Sequence, residues 1–280
     1  MNSKDRPVAL VTGSATGVGR ACVLQFAARG FDVIVNYSRS ADEAAETVLK
    51  AKSLNAKVLL IQCDVSDDAS VQQMIGKIKD QFGRLDVVVN NAATTSFIEH
   101  ADLDAMTEEL WDRILAVNVK GAFFVTRAAT SLLKEGDGGA VVNISSVAGI
   151  TGSGSSVAYC ASKAALNTMT KSLARALAPE IRVNAVCPGP IESRWIREGN
   201  PGTRIEDMVA DYPLPKASMP DDIADAVVFF AFTVAAACAR ASARACSLAA
   251  WSLASFSCAS CAILFCSARN QLLSSLKQIR

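Results

Sequence analysis

Val8-Ala9-Leu10-Val11-Thr12-Gly13-Ser14-Ala15-Thr16-Gly17-Val18-Gly19 decides the fold. An apolar run of strand length leads straight into a glycine-rich turn, and the turn opens a helical pattern. Backbone N–H groups at such a turn, with the positive end of the following helix, suit a pyrophosphate. Glycine permits the turn and lets a ligand approach the backbone closely. A glycine cluster alone says little; its place between a first strand and a first helix gives it weight.

Outward from this unit, β-branched runs alternate with helical patterns. Val8–Val11, Val33–Val35, Val58–Ile61, Val87–Val89, Val141–Ile144 and Val183–Val186 are continuous and apolar, as in a parallel sheet buried on both faces. Residues 41–54 and 67–82 carry apolar positions at helical spacing, and Asp67 stands where a cap is expected. The alternation predicts an α/β fold with a doubly wound parallel sheet, a single domain over residues 1–231.

The 280 residues are 51% apolar, enough for a sizeable core, and the net charge of +1 leaves no footprint for nucleic acid. The first residues carry no apolar signal segment, which predicts a cytoplasmic protein. Cys22, Cys63, Cys160 and Cys187 read as small buried hydrophobes, and no cysteine or histidine spacing suggests a metal. The single histidine, His100, sits in a loop pattern and is given no catalytic role.

Tyr159 and Lys163 lie four residues apart on one helical face, and Ser146 ends the fifth strand upstream. A phenol, an ammonium and a hydroxyl so placed can move a proton on or off a carbonyl oxygen. The ammonium, together with a positive nicotinamide ring, is expected to lower the phenol's pKa, making Tyr159 general acid and base, with Ser146 stabilising charge on the substrate oxygen. The second strand ends Asn36-Tyr37-Ser38-Arg39 without the carboxylate that binds ribose hydroxyls in NAD sites. Ser38 and Arg39 suit a 2′-phosphate, so NADP(H) is expected over NAD(H).

The wide Thr-Gly-x-x-x-Gly-x-Gly spacing, with Asn90-Asn91-Ala92-Ala93, Tyr159 and Lys163, and Pro188-Gly189-Pro190-Ile191-Glu192-Ser193, resembles the short-chain dehydrogenase/reductase family over residues 6–230. The general resemblance is to 3-oxoacyl-(acyl-carrier-protein) reductases. It implies a Rossmann-like fold and hydride transfer between a nicotinamide and a ketone or secondary alcohol. It implies catalytic roles for Asn118, Ser146, Tyr159 and Lys163, with Asn118 supporting a water that links Lys163 to solvent. It implies cofactor contacts at Gly13, Ser14, Thr16, Gly17, Val18, Gly19, Ser38, Arg39, Asp64, Val65, Asn91, Ala92, Tyr159, Lys163, Pro188, Gly189, Ile191 and Ser193. Ala93 and Ser193 depart from the usual glycine and threonine.

Residues 232–280 break the pattern. No acid follows Asp225, no glycine follows Gly202, and five of the nine cysteines lie there. Out-of-frame translation is the leading reading, a helical extension the second, and an anchor over the uncharged residues 245–268 a third, diluted by serine. A tail without the family's last strand leaves the sixth strand as an open edge. The family's homo-oligomer is then in question, and a catalytically silent nucleotide-binding protein is the alternative function.

Overall fold

The computed structural model describes residues 6–135, 138–199, 202 and 204–232, and the backbone of Cys261–Leu264. The strands are β1 (Val8–Val11), β2 (Asp32–Tyr37), β3 (Val58–Gln62), β4 (Val87–Asn90), β5 (Gly139–Ile144), β6 (Ile181–Pro188) and β7 (Cys261–Leu264). The longer helices are α1 (Gly17–Ala28), α2 (Ala41–Ser53), α3 (Asp68–Phe82), α4 (Glu108–Leu115), α5 (Ala122–Lys134), α7 (Val157–Ala176) and α10 (Pro220–Ala231). Short helices α6 (Ala148–Thr151), α8 (Arg194–Gly199) and α9 (Ile205–Val209) lie among them, and a π-helical turn, Ala116–Gly121, joins α4 to α5.

The sheet order is β3-β2-β1-β4-β5-β6-β7, with β1 to β6 parallel. The chain builds outward from β1 to β3 and then returns to β4 on the other side of β1. That reversal opens a crevice at the strand ends, where ligands bind in such sheets. Every residue of β1 and β4 is buried, which is why these runs are continuously apolar.

Strand periodicity divides the core in two. Ala9 and Val11 face a cluster containing Phe26 of α1, Ala44 of α2 and Val227 of α10. Val8 and Leu10 face the other side, against Met74 and Ile78 of α3 and Leu132 of α5. Cys22, Cys63, Cys160 and Cys187 are free and buried.

Local signals set the helix ends. Asp67 accepts a hydrogen bond from Ala69 N at 3.0 Å, and Gly83 ends α3 at φ 67°. Buried Ser156 caps α7 by accepting from Tyr159 N at 3.3 Å, so the cap and the candidate catalytic residue share a bond. Ser156→Ala is expected to cost about 1 kcal/mol and to lower Tm by about 2–4 °C in a thermal melt. An unchanged Tm would show that the cap does not hold this helix.

One expectation is corrected. The sixth strand is not left as an open edge, because β7 pairs antiparallel with it, Leu264 opposite Ala185 and Cys261 opposite Pro188. An edge offers backbone N–H and C=O groups that any extended segment can satisfy, without the family's usual ending. The argument against assembly loses its premise with that edge. The other readings of the tail fall outside the described residues.

Candidate active site

The glycine loop is held by side chains from neighbouring strands. Thr12 Oγ1 accepts from Asn91 N and Ala92 N, each at 3.0 Å. Asn91 Nδ2 donates to the carbonyls of Thr12 and Gly13, both at 2.9 Å. Asn36, 1% exposed, joins the ends of three strands: its Oδ1 accepts from Gly13 N at 3.0 Å, its carbonyl accepts from Ser14 N at 2.8 Å, and its Nδ2 donates to Cys63 O at 3.0 Å. Sequence reasoning noted Asn36 only as a missing carboxylate. The signal was present, since an amide inside a strand buried on both faces must find partners.

Ser14, Thr16, Val18 and Gly19 line this loop and the first turn of α1 with Gly13 and Gly17. Gly17 adopts φ +55°, and a Cβ built on it would meet no protein atom within 4 Å. The first turn of α1 is therefore open toward an anion. Ser38 and Arg39 are exposed at the end of β2, and the Arg39 guanidinium makes no hydrogen bond or ion pair among the described residues.

Asp64, beyond β3, is partly buried. Burial alone would raise its pKa, but hydrogen bonds from Ser66 and Arg113 bring it below the usual carboxylate value. Arg113 donates to Asp64 Oδ2 at 2.9 Å. Val65 is buried against the π-helical turn, where a Cβ at Gly121 would lie 2.6 Å from its Cγ2. On the far side, Pro188 O accepts from Val147 N at 3.0 Å and Pro190 O from Ser218 N at 3.1 Å, which shapes the segment of Gly189, Ile191 and Ser193.

Ser146, Tyr159 and Lys163 meet at the end of β5. Ser145 Oγ donates to Lys163 O at 3.2 Å, tying strand end to helix. Lys163 is 2% exposed, and its Nζ donates to Ile144 O at 2.8 Å, 5.5 Å from the centre of the Tyr159 ring. The Tyr159 phenol is pushed up to about 12 by burial, offset in part by a hydrogen bond with Ser146. Of the two charges expected to lower it, the lysine does not: its ammonium is held on the Ile144 carbonyl, and among the protein's own groups desolvation dominates.

Asn118, 2% exposed, sits on the π-helical turn, a rare geometry often found at functional sites. Its Oδ1 accepts from Thr94 N at 2.8 Å, and its Nδ2 donates to Thr94 O and Ser162 Oγ, both at 3.0 Å. Ser162 in turn donates to Tyr159 O at 2.7 Å. The side chain thus links the loop after β4 to α7, the helix that carries Tyr159 and Lys163. At the mouth, the Trp195 ring meets that of Tyr159 edge-on at 6.4 Å between centroids. His100 Nε2 lies 3.1 Å from Gly154 O, which ties it to the loop before α7.

The sequence-predicted residues therefore lie at or near the C-terminal ends of the parallel strands. Arg39 and Asp64 stand at the β2–β3 side, the glycine loop in the middle, and Ser146, Tyr159 and Lys163 at the β5–β6 side. Among the described residues no cluster of His, Cys, Asp and Glu could hold a metal, and no helix is long and apolar enough to cross a membrane.

A family model described as short chain dehydrogenase matches residues 7–203. The chain belongs to that family. This short-chain dehydrogenase is 39% identical to a 3-oxoacyl-(acyl-carrier-protein) reductase of Staphylococcus aureus over 224 residues, 80% of this chain and 89% of the relative. A Burkholderia xenovorans protein assigned to the short-chain dehydrogenases/reductases superposes with TM-score 0.75 at 36% identity, covering 80% of this chain and 90% of its own. A xylitol dehydrogenase solved with NAD+ superposes with TM-score 0.75 at 25% identity, covering 81% and 92%. The protein is an oxidoreductase acting on CH–OH or keto groups, in a family whose cofactor is NAD(P).

Lys163 carries a pH signature. Burial lowers its pKa from 10.5 to about 8, with Cys187 nearby opposing the shift. Between those values the unfolded chain holds a proton that the folded chain has released, so Lys163's contribution to stability rises with pH. Tyr159 acts oppositely above its unfolded value of 10, since the folded chain keeps its proton up to about 12. The stability difference between the unsubstituted protein and Lys163→Met, from urea unfolding, is expected to increase from about pH 8 to about pH 10. A flat difference would contradict the burial of the ammonium.

Proposed function

We propose that this protein is an NADP(H)-dependent ketone reductase or alcohol dehydrogenase in which Tyr159 transfers the proton. The observation that carries this reading is the convergence of Ser146, Tyr159 and Lys163 at one end of a groove whose other end holds an unpaired arginine. The bound nicotinamide supplies or accepts the hydride. In reduction Tyr159 gives its phenolic proton to the substrate oxygen, and Ser146 donates a hydrogen bond to the same atom. A phenol with a pKa of about 12 is protonated at neutral pH, the form that reduction uses. Lys163 orients Tyr159 and the cofactor ribose, and Asn118 positions the helix and the Thr94 loop. Gly13, Ser14, Thr16, Gly17, Val18 and Gly19 hold the pyrophosphate. Asp64 and Val65 flank the adenine, while Asn91, Ala92, Pro188, Gly189, Ile191 and Ser193 surround the nicotinamide half.

Ser38 and Arg39 receive the 2′-phosphate, which separates NADPH from NADH. The S. aureus relative supports a 3-oxoacyl thioester as one substrate, and small cyclic ketones are the alternative, admitted past Trp195. The test follows loss of reduced-nicotinamide absorbance with NADPH and with NADH over both substrate classes. Arg39→Ala is expected to lower kcat/KM for NADPH by about 10- to 100-fold, the worth of a hydrogen-bonded charge pair, and to leave NADH nearly unchanged. Equal losses with both cofactors would refute the 2′-phosphate role. Dinucleotide binding without turnover of any ketone would favour a silent nucleotide-binding protein.

A further inference from the structure

Arg194 and Glu43 make a contact whose position matters more than its strength. Arg194 opens α8, one residue after Ser193, and donates to Glu43 Oε1 at 2.6 Å. Glu43 lies in the first turn of α2, four residues after Arg39. Their strands are far apart: β2 and β6 are four positions apart in the sheet, and at ~4.8 Å per strand they are separated by roughly 19 Å. The two side chains can meet only if the segment after β6 folds back across the ends of β5, β4 and β1. The glycine loop and the first turn of α1, which follow β1, lie between those two strand ends.

The anchor on the α2 side is firm. Arg20 of α1 donates to Glu43 O at 2.9 Å and to Glu46 Oε2 at 3.0 Å, fixing the turn that presents the carboxylate. On the other side, Gly199 at the end of α8 packs so closely on Phe97 that a Cβ would lie 2.4 Å from its ring. Arg194 also pairs with Glu198 at 3.4 Å, one turn along α8. The helix is thus seated at one end on Phe97, in the loop after β4, and fastened at the other to α2.

We infer that the Arg194–Glu43 ion pair is a strap across the dinucleotide groove, which slows the release of bound cofactor. The inference rests on the reading of the groove as a nicotinamide dinucleotide site. The strap joins the nicotinamide side of the groove to its 2′-phosphate side, so a dinucleotide lying between them leaves only when it opens. Both side chains are partly exposed, at 47% and 33%, so the pair is a weak contact and screened by salt.

Glu43→Gln makes the test sharp because two physical accounts differ in sign. If the carboxylate merely repels the cofactor phosphates, its removal slows release. If it holds the strap, its removal speeds release. The experiment measures release of NADPH, or NADH if that binds better, by stopped-flow nicotinamide fluorescence after a chase. Glu43→Gln and Arg194→Gln are each expected to release the cofactor about three- to fivefold faster, as fits a weak exposed pair. The double variant should be no faster than the quicker single one. Asp42→Asn, an exposed neighbouring acid outside the strap and its anchor, should leave the rate unchanged. Raising salt from about 0.05 to about 0.5 M should bring the unsubstituted protein toward the variants.

Unchanged or slower release in Glu43→Gln, or multiplying effects in the double variant, would overturn the strap. Failure of the unsubstituted protein to bind either dinucleotide would instead overturn the reading of the groove, and the strap with it.

Discussion

Tyr159→Phe is expected to lower kcat by about 10²- to 10⁴-fold, the usual contribution of a positioned general acid, while cofactor affinity changes little. The phenylalanine keeps the ring and its edge-on contact with Trp195, so α7 and the mouth of the groove are preserved. Only the hydroxyl is lost, and with it the proton donor beside Ser146. The check is single-turnover oxidation of bound NADPH with saturating ketone, alongside a binding titration. Because the phenol's pKa is raised by burial, removing the hydroxyl also removes a desolvated polar group, and Tm should not fall sharply. Activity kept within about tenfold would show that water or another residue supplies the proton.

The second large effect is expected at Gly19. A Cβ there would lie 2.6 Å from Gly13 O and from Asn91 Nδ2, and 2.7 Å from Ser14 Cα. None of these can yield easily, since Asn91 is bonded to Thr12 and Gly13, and Ser14 to Asn36. Gly19→Ala should therefore displace the loop from the first turn of α1. A stability loss of about 1–3 kcal/mol is expected from overpacking. A shift of about 1 Å in the loop can further lower kcat/KM by about 100-fold. Gly17→Ala is the informative contrast. Its φ of +55° strains an alanine by about 1–2 kcal/mol, but its Cβ meets no protein atom within 4 Å. If Gly19→Ala loses no more stability than Gly17→Ala, close packing at Gly19 is not what shapes the loop.

The six parallel strands were legible because a strand buried on both faces must be continuously apolar, as Val87–Val89 and Val141–Ile144 are. The Tyr159–Lys163 pair was legible because four residues make one helical turn, whatever the helix packs against. The cap at Asp67 was legible for the same local reason. The role of Asn36 in holding the glycine loop was missed, since its partners come from loops on either side of its strand. Asn118 was singled out, but not the Thr94 and Ser162 contacts its amide makes.

The pairing of β7 with β6 shows a different limit. Composition described the tail as unlike a strand ending, yet backbone pairing depends on an available edge rather than on side-chain pattern. The sign of the Tyr159 shift had the same character. Spacing placed an ammonium nearby, and only packing could show that the Ile144 carbonyl holds it while burial governs the phenol.

By itself, then, the amino-acid order determined what is local: the strand and helix periods, the glycine turn, the caps, and the i, i+4 register of Tyr159 and Lys163. Tertiary structure alone decided which distant groups meet. It set Arg194 on Glu43 across the strand ends, Asn36 against the glycine loop, and Lys163 on Ile144. Hydrogen bonds and desolvation act over a few ångströms in space, and a separation of 151 residues along the chain carries no sign of such a contact until the sheet is assembled.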